Sequence, residues 1–234
     1  MIVPRFPQDR CVILADAGVE TLLACAMAAE QQQLAASNAP VLLPAWWGPG
    51  EELDMIISAV DPAIAAQASA YGLDIFPEQA VYPPEDFEPA GPEDQGLMHS
   101  RMLLEAAHLA MKWGIRRVVW PVRAQSVKNP RPVSDLTDEI ATLIDRALLA
   151  SRLASLDATT DTAVDVVIET PFVDLSNEQI AELVLDLAPP LETCWWHDAR
   201  SLPGADAQRA HWGSIAARWG LQIENKPGAA RSGV

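Results

Sequence analysis

The chain alternates short apolar runs with longer segments of helical periodicity, and this alternation restricts the available folds more than any other feature of the sequence. Residues 11–15 (CVILA) form an apolar run that feeds an Ala- and Leu-rich segment reaching Leu34, the pattern of a buried strand entering a helix. Val41–Trp46 reads as a second strand. A Gly-Pro-Gly turn at Gly48–Gly50 follows, then a helical stretch from Leu53 to Tyr71 with a break expected at Pro62. Leu73–Phe76 is a third short strand, and Pro77–Pro92, rich in Pro, Glu and Asp, reads as an exposed loop. Helical spacing returns over Gly96–Trp113 and stops at Gly114, ahead of a strand at Ile115–Val122. Ser134 opens a helix running to Leu153, Val164–Ile168 is the last strand, and Ser176 caps a helix ending at Leu187. A final helix is expected over 207–219. The alternation predicts an α/β fold: a doubly wound, mainly parallel sheet with helices on both faces, and a ligand site beyond the carboxyl ends of its strands.

At 234 residues, half of them hydrophobic, the chain can bury a sizeable core. The reading is one domain over 1–224, a Trp-rich helical region at 188–220 and a tail at 225–234. Lys and Arg total 16 against 32 Asp and Glu, a formal net charge of -16 that repels phosphate backbones and anionic membrane surfaces. Nucleic acid and membrane are therefore excluded as expected partners. Cys11, Cys25 and Cys194 are widely spaced, with no Cys-x-x-Cys pair, which suits a reducing compartment. No secretion signal or apolar span is legible near the N-terminus, where Asp16 and Glu20 break the best run, so a cytoplasmic location is expected.

The segment Ile168-Glu169-Thr170-Pro171-Phe172-Val173-Asp174-Leu175-Ser176, continued by Glu178-Gln179-Ile180 and reaching Trp195, resembles the late segment of the 7-cyano-7-deazaguanine synthases. These are PP-loop ATP pyrophosphatases of the adenine nucleotide alpha hydrolase-like fold. The resemblance implies a ligase of queuosine biosynthesis, with ATP and Mg as cofactors. Through adenylated intermediates, that reaction turns a carboxylated deazaguanine and ammonia into a nitrile. It places the nucleotide site at Asp16, Gly18, Glu20, Thr21, Arg101 and Arg123. The family's phosphate loop reads Ser-Gly-Gly-x-Asp-Ser, against Asp16-Ala17-Gly18-Val19-Glu20-Thr21 here. Arg101 matches a family arginine, although His99 and Met102 replace its Pro and Asn neighbours. Where the family carries a thiolate zinc site, His197 falls near the first ligand position and residues 203–209 contain no cysteine, so a structural zinc is expected to be absent.

Several of these residues admit two readings. A phosphate loop offers backbone N–H groups and hydroxyls to an anion, and Asp16 puts a negative charge there instead. Asp16 and Glu20 are either a helix-capping Asp and a first-turn Glu, or ligands for a magnesium ion. Arg123, at a strand's carboxyl end, either holds a ligand carboxylate or pairs with a local Asp. Trp46 and Trp47 either stack on a planar ring or belong to the core. Asp135 and Glu139 read as an acidic first turn as readily as ligand contacts. The expectation is a divergent relative that lacks standard ATP pyrophosphatase chemistry and binds a small molecule or a protein partner. The alternative is an active Mg-ATP-dependent synthase. A third reading makes the Trp-rich region the interface of a homo-oligomer.

Overall fold

The computed structural model describes residues 10–35, 40–47, 53–76, 79–83, 92–124, 133–157, 165–198, 202 and 204–219. The expected Gly48–Gly50 turn, most of the Pro77–Pro92 loop and the 225–234 tail lie outside them. All five side chains of β1 (Cys11–Ala15) are fully buried, so both faces of this strand are covered. Five strands pair in parallel, in the order β3 (Asp74–Ile75), β2 (Val41–Pro44), β1, β4 (Arg117–Val119) and β5 (Val167–Glu169). The alternating side chains of the sheet separate two cores. Cys11, Ile13 and Leu42 pack against α1 (Val19–Ala35), α2 (Leu53–Tyr71), α5 (Asn177–Leu187), α6 (Trp195–Asp198) and α7 (Ala205–Trp219). Val12, Leu14, Val41 and Leu43 pack on the other face against α3 (Pro92–Lys112) and α4 (Val133–Asp157). The chain is therefore a doubly wound parallel α/β protein with helices on both faces. Among the described residues, no helix is long and apolar enough to cross a membrane.

Pro62 does not break α2, which runs unbroken through it. A helical proline removes one backbone donor, and here Ile56, Val60, Ile64 and Ala68 bury one stripe of the helix on either side of it. The exposed proline sits off that stripe. The last two strands are shorter than expected. Trp120, Pro121 and Val122 remain buried but leave the ladder after the Trp120 N–H bonds the Glu169 carbonyl at 2.8 Å.

Ser176 caps α5 as its sequence indicates. Its hydroxyl accepts from the Gln179 N–H at 3.3 Å, while the Gln179 side-chain oxygen accepts from the Ser176 N–H at 2.8 Å. Ser176→Ala is expected to lower stability by about 1 kcal/mol, measured by urea denaturation, because the Gln179 N–H at the helix start loses its acceptor.

Candidate functional site

The strand order reverses between β1 and β4, so the crevice past their carboxyl ends is where an open parallel sheet places a ligand. The turn from β1 into α1 lies there. Asp16 Oδ1 accepts from the Gly18 N–H at 2.8 Å and from the Thr21 hydroxyl at 2.7 Å, and the Asp16 N–H in turn reaches Thr21 Oγ1 at 3.3 Å. A Cβ at Gly18 would lie 3.0 Å from Asp16 Oδ1, so the carboxylate reaches this close because position 18 has no side chain. Ala17 adopts φ 56°, the left-handed conformation that a glycine takes freely and an alanine holds against about 1–2 kcal/mol of strain. Its carbonyl accepts from the Trp195 N–H at 3.1 Å and from Gln67 Nε2 at 3.2 Å. Burial pushes the Asp16 carboxyl up from 3.8 to about 6, against the lowering effect of its bonds to Thr21 and Gly18.

Glu20, in the first turn of α1, meets Arg123 from beyond β4, with Nε to Oε1 at 2.7 Å. The Arg123 side chain is 5% exposed and that of Glu20 19%. Arg123 also donates from Nη1 to Asn177 Oδ1 at 2.6 Å and lies over the Trp212 ring at 5.6 Å from its centroid. His211 stands next to this group, its pKa lowered by burial and then by Arg123, and its Nε2 is buried without a hydrogen-bond partner. Arg123 pairs with an acid of its own chain, but not with the local Asp that the sequence suggested. The partner is a glutamate 103 positions away.

Of the six expected nucleotide-site residues, Asp16, Gly18 and Thr21 form one turn, and Glu20 and Arg123 form one ion pair. Arg101 sits apart on α3. It lines a cavity of about 150 Å³ with Trp46, Val81, Tyr82, Met98 and Glu105, and makes no ion pair among the described residues. Trp46 is buried edge-on against Trp195, with ring centroids 5.6 Å apart, so it belongs to the core while one edge borders that cavity. Asn177, Trp212, Gln67 and the Trp195 backbone complete the site without any sequence motif to mark them. A periodic pattern places Asn177 at a helix start, but nothing local ties it to Arg123.

Trp195, Trp196 and Trp212 are buried within the chain. Their indoles lie in the core where α6 packs on α2 and α7 packs on α5 and α6. His197 pairs with Asp198 at 3.1 Å, Asp206 pairs with Arg209, and no group of three or more metal-ligating side chains occurs among the described residues. The three cysteines are buried thiols. Burial pushes Cys11 up to about 12 and raises Cys25 and Cys194 as well, so none of them is a thiolate at neutral pH.

The architecture and the crevice define a doubly wound parallel α/β protein with its candidate site at the switch point between β1 and β4. No protein-family model matches the chain, and no curated protein does. Among solved structures it is similar to the U34-tRNA thiolase NcsA from Methanococcus maripaludis with its 4Fe-4S cluster. The identity is 11% and the TM-score 0.47, over 92% of this chain and 74% of that one.

Proposed function

We propose that this chain is a divergent PP-loop-type protein, related to the 7-cyano-7-deazaguanine synthases, whose triphosphate site is closed by its own Asp16. One observation carries the reading. The Gly18 N–H and the Thr21 hydroxyl, the donors that such a turn would offer a phosphate oxygen, are already held by the Asp16 carboxylate. Asp16 acts there as an internal anion. A phosphate arriving about 4 Å from the ionised carboxylate would meet a repulsion of about 1 kcal/mol in water and about 4 kcal/mol at an effective dielectric near 20. A magnesium ion held jointly by Asp16 and Glu20 would have to draw Glu20 away from Arg123, its 2.7 Å partner. The cavity of about 150 Å³ beside Trp46 and Arg101 suits a ligand smaller than a nucleotide, since common ligand pockets run from roughly 300 to 1,000 Å³.

Calorimetric titration of ATP, with and without magnesium, tests the reading. Wild-type protein is expected to give no ATP binding in either condition, and Asp16→Ser, which frees both donors and removes the charge, is expected to gain affinity on the order of 10-fold or more. Tight binding by the wild type in magnesium alone, lost in Asp16→Ser, would instead establish the Mg-ATP-dependent synthase.

A further inference from the structure

The outer face of α4 is apolar where a surface helix is ordinarily polar. Ile144, Leu148, Leu149, Leu153 and Leu156 are each between 43% and 76% exposed, while Leu143, Ala147, Ala150 and Ala154 on the opposite face fill the core. At about 3.6 residues per turn, the exposed five span roughly half of the helix circumference. The middle line of that half carries Asp145 and Arg152, two turns apart, both exposed and neither in an ion pair among the described residues. An acid and a base with apolar residues between and beside them make a face that is complementary to itself when turned end for end.

We infer that this face is covered by a second copy of the chain, α4 packing antiparallel on α4 about a two-fold axis that passes between Leu148 and Leu149. That axis lies at the centre of the exposed half of the helix. It sets Leu148 beside Leu149 of the second copy at the centre, with Ile144 and Leu153 along the two edges of the strip. The same register sets Asp145 opposite Arg152 of the second copy and brings Leu156 over its Ala141. The central apolar residues meet apolar ones and both charges are matched twice, as an isologous interface requires. A parallel arrangement would align like charges, Asp145 on Asp145 and Arg152 on Arg152, so the charges select the antiparallel one. A chain of net charge -16 repels its own copy at long range, so the self-complementary strip has to act at contact.

Sedimentation velocity on the full chain at physiological salt, from micromolar to hundreds of micromolar, is expected to show a dimer. Asp145→Arg and Arg152→Asp alone each set like charges across the axis twice, and each is expected to weaken the dimer on the order of 30-fold or more. An equimolar mixture of these two variants restores opposite charges at both contacts, and is expected to recover the dimer as a mixed species. Leu149→Glu is expected to abolish it. Circular dichroism checks that each variant keeps the wild-type helix content, as substitution of exposed side chains predicts. A wild type that stays monomeric throughout overturns the inference. So does a dimer indifferent to the single charge changes, or a mixture that fails to re-form it. A monomer that floats with phosphatidylcholine vesicles would assign the face to a lipid surface and also overturn it.

Discussion

Arg123→Met is expected to destabilise the protein by about 3–5 kcal/mol, seen as a fall in the urea midpoint without loss of cooperativity. The side chain is nearly inaccessible and has three separate partners: Glu20 at 2.7 Å, Asn177 at 2.6 Å and the face of Trp212. It therefore joins the end of β4 to α1, α5 and α7, elements contributed by both halves of the sequence. Methionine fills much of the volume but leaves the Glu20 carboxylate in a largely dry site without a counter-charge, and that uncompensated charge is the main part of the loss. The double variant Glu20→Met/Arg123→Met removes both charges and is expected to lose less than the two single variants together, with a coupling of about 1–3 kcal/mol. Arg123→Lys keeps the charge but not the planar fork, so it is expected to fall between wild type and Arg123→Met. Additive single losses would show that the pair is not coupled and that Arg123 acts only by packing.

Asp16→Asn is expected to stabilise the protein at neutral pH and to leave it unchanged near pH 4. The folded state pushes the Asp16 carboxyl up from 3.8 to about 6, so folding favours the protonated form. The stability that this group contributes is complete below pH 3.8 and is lost as pH rises through about 6, where the native carboxyl must ionise in a buried turn. At about 1.4 kcal/mol per pH unit, the loss is at most about 3 kcal/mol. The positive end of α1 offsets part of it, since an anion at a helix start gains about 0.3–1 kcal/mol. Asparagine keeps an acceptor oxygen for the Gly18 N–H and the Thr21 hydroxyl and carries no charge. Its melting temperature is expected to exceed that of the wild type by several degrees at pH 8, at roughly 2–4 °C per kcal/mol, with the gap closing as pH falls below 4. A variant less stable than wild type at every pH would mean that the carboxylate's helix-capping charge outweighs its burial.

The fold was legible wherever one residue's environment could be read from its neighbours. Five consecutive apolar residues at 11–15 followed by Ala- and Leu-rich periodicity point to a doubly covered strand and its crossover helix, and β1 and α1 lie there. Ser176 was recognisable because serine favours a helix start and Glu178 follows in the first turn; the reciprocal bond with Gln179 is seen only in the structure. Strand ends were not legible, since Val167–Glu169 begins and stops where β4 offers partners, and that register depends on packing far along the chain. The short helix at Trp195–Asp198 also escaped a periodic reading, because four residues are too few to show a period.

The site divides in the same way. Asp16 sits between a strand and a helix, and its carboxylate bonds the Gly18 N–H, one residue ahead of α1, rather than an N–H of the helix itself. The Thr21 hydroxyl, five positions on, completes the loop only because α1 turns it back toward Asp16. Arg123 with Glu20, and Ala17 with Gln67, are separated by 103 and 50 positions, distances over which no local pattern operates. Asn177 and Trp212 enter the site through the packing of α5 and α7 and carry no chemical signature of their own.

The Ala17 carbonyl takes its two hydrogen bonds from α2 and from the first residue of α6, which makes the β1 turn and the C-terminal third of the chain one mechanical piece. Nothing can widen that turn without also peeling the Trp195 segment from the body of the protein. A visitor that widens the crevice at this turn therefore also works against the Trp195 contact, and a change that loosens α6 is expected to be felt at the tip of β1.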